Sequence, residues 1–338
     1  MPHATEDSLA SSRIWRVTRW VIGIIVVLLL GFFYGFVPWF LTSIATSRRF
    51  HYPDPNDGKT PQSYGAAFSS VEFSSSDGIP LKGWYIPATP PAGGKPKGTI
   101  VYCHGLNRTR VEMLPDAVFA HGLGYNGLLF DLRHQGESGG TTSTVGYQER
   151  LDVAGAVRWA LDQQKAERPI ILWGVSMGAA AALLAAAELP EVSAVISDST
   201  FLSFSDTVRH HYYLFRRIAR QRGVWWFPPL PAFPIANEVI LWTGWRGHFR
   251  PEDFDIERAV KAINPRPLLF VAVQGDQRMP PSIAQTLYAE ATSPQKEIVI
   301  LPGTRHGEGF NQATAQYEQA VSKFLASVQN DAGLQSVR

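Results

Sequence analysis

The chain has one cysteine, Cys103, so no disulfide can form within it. That fits a reducing compartment, and equally an exported domain built without disulfides. Charge is sparse too. Only 18% of residues are charged, the net charge is +2, and like charges gather into no block. Nothing in this favours nucleic acid as a partner. Metal signatures are missing as well. There is no H-E-x-x-H and no group of Cys or His at ligand spacing, so no metal and no other cofactor is expected. No internal repeat is visible.

What the chain does have is an apolar excess, 45% of its residues, with a concentration near the N-terminus. "WVIGIIVVLLLGFFYGFV", Trp20 to Val37, holds no charged residue. As a helix this run spans about 27 Å at ~1.5 Å per residue, and Pro38 to Leu41 completes the thickness of a bilayer core. Trp15, Trp20 and Trp39 would sit near the two interfaces, where amphipathic rings are favoured. A cleaved signal peptide is the other reading, with "SIA" at Ser43 to Ala45 as the cleavage site. The run is longer than the roughly 7–15 residues of a signal core, which favours a retained anchor. Arg13, Arg16 and Arg19 before the run outnumber Arg48 and Arg49 after it, which places the N-terminus in the cytoplasm and the rest on the other side. "GFFYG" at Gly31 to Gly35 matches a helix-pairing pattern, incidental in a run this rich in glycine.

"HYPDPNDGKTPQSYG", 51–65, reads as a linker, with ordered structure beginning near Val71. "SVEFSS" and "PLKGWYIPA" flank Asp77-Gly78 as a hairpin. Beyond Thr99, continuous apolar runs at 99–103, 126–131, 170–174, 194–198, 267–273 and 297–301 read as strands buried on both faces. Helical segments fall near 109–121, 149–164, 177–188, 282–291 and 312–328. Strand and helix in alternation predict an α/β fold, a mostly parallel sheet with helices on both faces. Between Asp198 and Pro267 the alternation breaks, and an aromatic, basic, proline-punctuated segment reads as helices and loops inserted above the sheet. The division that follows is a cytoplasmic tail at 1–19, a transmembrane anchor at 20–41, a linker at 42–68, a folded domain at 69–330 with its insertion at about 201–262, and a tail at 331–338.

The pattern G-x-S-x-G, which marks the nucleophile of many serine hydrolases, occurs twice: around Ser138 and around Ser176. Context separates the two. "IILWGVSMGAAAALLAAAEL" is strand, tight turn and helix, the arrangement that lifts a serine above the carboxyl edge of a sheet and sets a helix N-terminus behind it. "LLFDLRHQGESGGTTSTVGY" is a strand followed by a long loop with no helix. Ser176 therefore fits and Ser138 does not. A serine nucleophile needs a base, oriented by a third group. His306 follows the strand at 297–301. Asp276 follows the strand at 267–273, and Asp198 also ends a strand. Ser176, Asp276 and His306 occur in the chain order of an α/β-hydrolase triad. Strand-end position alone does not choose between the two aspartates.

From about residue 69 to 328 the chain resembles the α/β-hydrolase superfamily. It is most similar to the branch of serine-aminopeptidase-like and monoacylglycerol-lipase-like hydrolases, some of them membrane-anchored. "YCHGLN" resembles the His-Gly oxyanion loop of that family. "DLRHQGESGG" resembles its D-x-R-G-x-G-x-S-x-G loop, with His134 in place of a glycine and Gln135 in place of a common histidine. "GDQRMP" resembles its acid motif D-x-x-V-P, with Met279 for valine, and this likeness favours Asp276 over Asp198. The resemblance implies an α/β-hydrolase fold of about eight strands with a helical cap insertion. It implies that Ser176 attacks, that His306 shuttles the proton, that Asp276 orients the imidazole, and that the backbone N–H groups of Leu106 and Met177 hold the oxyanion.

Other polar residues have simpler explanations. Asp198 caps the segment after it, and the ring of His104 orders the oxyanion loop. Glu149 and Asp152 offset a helix dipole. His210, His211 and His248 are packed or solvated, and Cys103 is inert. In the insertion, Trp225, Trp226, Trp242 and Trp245 line an acyl pocket, rest on the bilayer beside Arg216, Arg217, Arg220 and Arg222, or form the cap's own core. The expected activity is a serine hydrolase acting on an ester, thioester or amide, with a small-molecule or lipid acyl substrate and the membrane as partner. Acyl transfer by the same triad, and a non-catalytic membrane-tethered binding protein, are the alternatives. A serine nucleophile argues against epoxide hydrolases and dehalogenases of this fold. The unperturbed imidazole value places the acid limb of kcat/KM near pH ~6.5.

The context argument is tested by two substitutions assayed for turnover. Ser176→Ala is expected to remove nearly all of it and Ser138→Ala to leave most. Equal losses contradict the argument.

Overall fold

The computed structural model describes residues 4–46, 51–90, 94–224 and 232–335. Eight strands form one sheet in the order β1-β2-β4-β3-β5-β6-β7-β8. They are β1 (Ser69–Ser74), β2 (Pro80–Ile86), β3 (Thr99–Cys103), β4 (Asn126–Phe130), β5 (Ile170–Val175), β6 (Val192–Asp198), β7 (Leu268–Val273) and β8 (Lys296–Leu301). β1 and β2 form the expected antiparallel hairpin, β2 pairs antiparallel with β4, and every other pairing is parallel. β3, β4, β5 and β7 are buried along their whole length, which is why their sequences run apolar without alternation.

The helices are α1 (Ala4–Gly31), α2 (Val37–Thr46), α3 (Leu114–Gly122), α4 (Glu149–Gln163), α5 (Met177–Glu188), α6 (Phe204–Gln221), α7 (Ile235–Arg246), α8 (Ile256–Ala262), α9 (Pro281–Glu290), α10 (Gly309–Gln312) and α11 (Thr314–Gln335). One face of the sheet is covered by α4, α5, α8 and α9, and the other by α3 and α11. α5 sits between α4 and α8 against the sheet, and its residues from Met177 to Ala186 are all buried. Its alanines let it lie close on every side, at no cost in side-chain entropy. α6, α7 and α8 make up the insertion between β6 and β7.

Arg13–Thr46 forms one apolar stretch of 34 residues, joined by a π-helical turn at Phe32–Phe36. It is long and apolar enough to cross a membrane, by length and composition, at about 51 Å for ~1.5 Å per residue. Among the described residues, the π-helical turn and α2 are the parts that touch the body. α2 packs on α7, burying Pro38, Thr42 and Thr46. Ser43 Oγ accepts from Arg246 Nη1 at 3.3 Å, and Thr46 O accepts from Ser143 N–H at 3.4 Å.

Three boundaries move. The helix begins at Ala4, inside the segment read as a tail, where no proline or glycine interrupts the chain before Gly23. The last helix likewise runs on to Gln335. The segment read as a linker is packed rather than free. Asp54 Oδ1 accepts from Asn56 N–H at 2.8 Å, Asp57 Oδ2 accepts from Asp54 N–H at 2.8 Å, and Tyr64 Oη donates to Asn56 Oδ1 at 2.7 Å. Pro, Asn and Asp there build a turn, with Asn56, Pro61 and Ala66 buried.

Candidate active site

Ser176 lies between the last residue of β5 and the first of α5 with φ 53° and ψ −115°. That is a strained backbone for a side chain other than glycine. Two glycines make the turn possible. A Cβ on Gly178 would stand 2.0 Å from Cys103 O, and one on Gly174 would stand 2.5 Å from Ala179 N. The Ser176 N–H donates to Asp198 O at 2.8 Å, which ties the turn to the end of β6.

Three residues from three strand ends meet here. His306 Nε2 is 2.8 Å from Ser176 Oγ, and His306 Nδ1 is 2.7 Å from Asp276 Oδ2. The other carboxylate oxygen of Asp276 accepts from Arg278 N–H at 2.8 Å and Met279 N–H at 3.0 Å. Burial raises the pKa of Asp276, but the bond and charge of His306 and the two backbone donors outweigh it, and the net shift is downward. Burial lowers the pKa of His306. The Asp276 contact works against that and the neighbouring Arg278 with it, and the net shift is again downward. The resulting state is an anionic Asp276 beside a neutral imidazole that donates from Nδ1 and can accept a proton at Nε2.

The other residues singled out in the sequence lie as follows. Asp198 does not reach His306. Its carboxylate accepts from Ser199 Oγ at 2.7 Å and Tyr317 Oη at 3.0 Å, and burial pushes it up to about 6. It caps no helix: α6 is capped by Ser203, whose side chain accepts from Asp206 N–H. Ser138 is buried, donating to Asp131 O at 2.5 Å and accepting from Lys82 N–H at 3.0 Å, so its hydroxyl proton is committed to a backbone carbonyl. Glu149 gathers Ser143, Thr144 and Gly146, and Asp152 pairs with Arg133, so both bind loops as well as starting α4. His210 Nε2 lies 2.8 Å from Gln277 O, next to Asp276, and His211 Nδ1 lies 2.9 Å from Thr207 O; neither is hydrogen-bonded to Ser176. Trp225 and Trp226 lie outside the described residues. Trp242 and Trp245 pack on each other on α7, and Trp245 is 75% exposed. Neither lines the cavity of ≈ 190 Å³ that opens between α6 and the Arg278–Ile283 segment.

The loop after β3 is held from several sides. His104 is fully buried, with Nδ1 2.8 Å from Gly105 O while Nε2 accepts from Leu132 N–H at 3.0 Å. That pattern requires a neutral ring protonated on Nδ1, and burial lowers its pKa accordingly. Gly105 O also accepts from Arg108 N–H at 3.3 Å. The peptide unit is planar, so a fixed Gly105 carbonyl fixes the Leu106 N–H in the opposite direction. Among the described residues neither Leu106 N–H nor Met177 N–H has a protein acceptor. Sequence reasoning missed Glu112, whose Oε2 accepts from Gly105 N–H at 2.6 Å and which burial pushes up to about 7. No motif flags it, because it meets Gly105 only through a turn.

Three comparisons fit this geometry. A family model described as alpha/beta hydrolase fold matches residues 98–237. The chain is 27% identical to YfhR of Escherichia coli strain K12 over 286 residues, covering 83% of this chain and 87% of that one. It is 27% identical to YqkD of Bacillus subtilis over 253 residues, covering 74% and 77%. An esterase structure from Pyrococcus furiosus superposes with a TM-score of 0.63 at 24% identity, covering 82% of this chain and 97% of that one. At that identity the likeness is one of fold.

Only neutral His306 can take a proton from Ser176. For a reaction in which His306 takes that proton, its lowered pKa puts the acid limb of kcat/KM below pH ~6.5, the ordinary imidazole value. A pH profile with an ester substrate is expected to rise to its plateau with a midpoint below the ordinary imidazole value. A midpoint above the ordinary value contradicts the burial argument.

Proposed function

We propose that this chain, which has the α/β-hydrolase fold, is a serine hydrolase of that superfamily cleaving a carboxylic ester, thioester or amide through an acyl-Ser176 intermediate. The observation that carries the proposal is the unbroken line of hydrogen bonds from Asp276 through His306 to Ser176. Ser176 Oγ attacks the carbonyl carbon as its proton passes to His306 Nε2. Asp276 holds the imidazole in the required tautomer and stabilises the imidazolium. The tetrahedral oxyanion lies against the unoccupied N–H groups of Leu106 and Met177, the second at the N-terminus of α5. His306 then protonates the leaving group, and water repeats the cycle to free the acid. The esterase among the structural neighbours supports an ester as the substrate class.

The apolar stretch at Arg13–Thr46 serves as a membrane anchor in this reading. Arg13, Arg16 and Arg19 lie on the cytoplasmic side and the hydrolase body on the other. Because α2 packs on α7, the body sits against the membrane surface.

A rapid-mixing experiment with a p-nitrophenyl ester tests the intermediate. A burst of p-nitrophenol, equal in amount to the enzyme, is expected before slower steady turnover. Ser176→Ala is expected to abolish the burst and lower turnover by at least about a thousandfold. Turnover with no acyl-enzyme on Ser176, from an enzyme that survives Ser176→Ala, would sink the proposal.

A further inference from the structure

The segment that follows the apolar helix docks on the oxyanion loop. Tyr52 N–H donates to Asn107 O at 3.0 Å. Arg108 Nη1 donates to Pro53 O at 2.7 Å and to Tyr52 O at 3.3 Å, and it lies 3.5 Å from Asp54 Oδ2. The Nε of the same guanidinium is 3.3 Å from Glu112 Oε1. Glu112 Oε2 takes the Gly105 N–H at 2.6 Å. So Gly105 is gripped at both ends, its N–H by Glu112 and its carbonyl by His104 and the Arg108 N–H. Its peptide with Leu106 can turn neither way.

The distances are short enough for this grip to matter to chemistry. A Cβ placed on Gly105 would stand 3.2 Å from Glu112 Oε2 and 3.7 Å from Ser176 Cβ. In its charged form Glu112 would repel a developing oxyanion; burial already favours its neutral form, pushing it up to about 7, so the charge to be offset is partial. Arg108 offsets that charge, and the side chain of Asp54, only 6% exposed, helps hold Arg108 in place. Arg108 and Glu112 thus act together: one supplies the acceptor that fixes the loop, and the other neutralises its field.

We propose that Glu112 and Arg108 are positioning residues for the Leu106 oxyanion donor, and that Tyr52–Asp54 completes their setting, so that the segment behind the apolar helix helps aim that donor. The proposal rests on the serine-hydrolase reading. None of these groups touches the reacting atoms; each acts through the direction of the Leu106 N–H.

The test uses the full chain in detergent with p-nitrophenyl butyrate as the probe, and melting temperature to report folding. Glu112→Leu is expected to lower kcat by about 10- to 100-fold with KM changed less than about twofold, since a misdirected donor weakens the transition state and leaves ground-state binding alone. Glu112→Gln keeps a carbonyl acceptor for the Gly105 N–H and is expected to recover kcat to within about fivefold of wild type. Arg108→Ala is expected to lower kcat about tenfold, and combined with Glu112→Leu to add less than its separate effect. Asp54→Ala is expected to show a several-fold loss, again in kcat. Folded Glu112→Leu and Arg108→Ala enzymes with kcat within twofold of wild type overturn the proposal, as does a loss carried by KM. An Asp54→Ala enzyme indistinguishable from wild type overturns the share assigned to the segment. Should Glu112→Leu fail to fold, the kcat of Arg108→Ala decides: a loss of about tenfold supports the proposal and a value within twofold of wild type overturns it. Failure of the hydrolase reading looks different: a folded wild type that neither turns over the ester nor reacts with a fluorophosphonate.

Discussion

The backbone at Ser176, with φ 53° and ψ −115°, has a conformation that a serine keeps only when its surroundings leave no alternative. β5 supplies one rigid arm and α5 the other. Gly178 lies so close to Cys103 O that no side chain could stand there, and the Ser176 N–H is bound to Asp198 O. The strain has two consequences. It lifts Oγ clear of the sheet, and it leaves the Met177 N–H free at the first turn of a helix, where the dipole favours negative charge. The rest of the site is arranged around that point. β7 ends at the loop of Asp276, β8 ends at the loop of His306, and β3 ends at the loop of Gly105. Neighbouring parallel strands end at one edge, so residues 130 positions apart in the chain become hydrogen-bonded neighbours.

Two aspartates at this edge show how environment divides identical side chains. Asp276 faces an imidazole and receives two backbone N–H bonds, so its charged form is favoured despite burial. Asp198 receives only hydroxyls, and burial dominates, pushing it up to about 6. The first can stabilise a cation that appears beside it. The second holds Tyr317 and Ser199 in place and, through its carbonyl, the turn of Ser176.

The sheet was legible because strands buried on both faces must be apolar throughout, and "TIVYC" occupies β3 residue for residue. α5 was legible for a similar reason: nothing but a helix accommodates its alanine-rich run after Gly178. Local context favoured Ser176 over Ser138, and in the fold Ser176 Oγ lies 2.8 Å from His306 Nε2 while the hydroxyl of Ser138 donates to Asp131 O. The long-range contacts were not legible. Glu112 reaches Gly105, and Tyr52–Asp54 reaches Arg108, only because the chain folds back, and no local period or spacing records that. The packed state of 51–68 was hidden by proline and aspartate, which suit an ordered turn and a loose tether equally well. The pKa of His306 was out of reach for the same reason, since burial is a property of the fold.

The account stands or falls on an activated Ser176. Fluorophosphonate labelling of the full chain in detergent, followed by mass mapping of the modified peptide, tests this most directly. The account predicts one label, on Ser176, lost in His306→Ala. A folded protein that takes no label, or takes it on another serine, contradicts it.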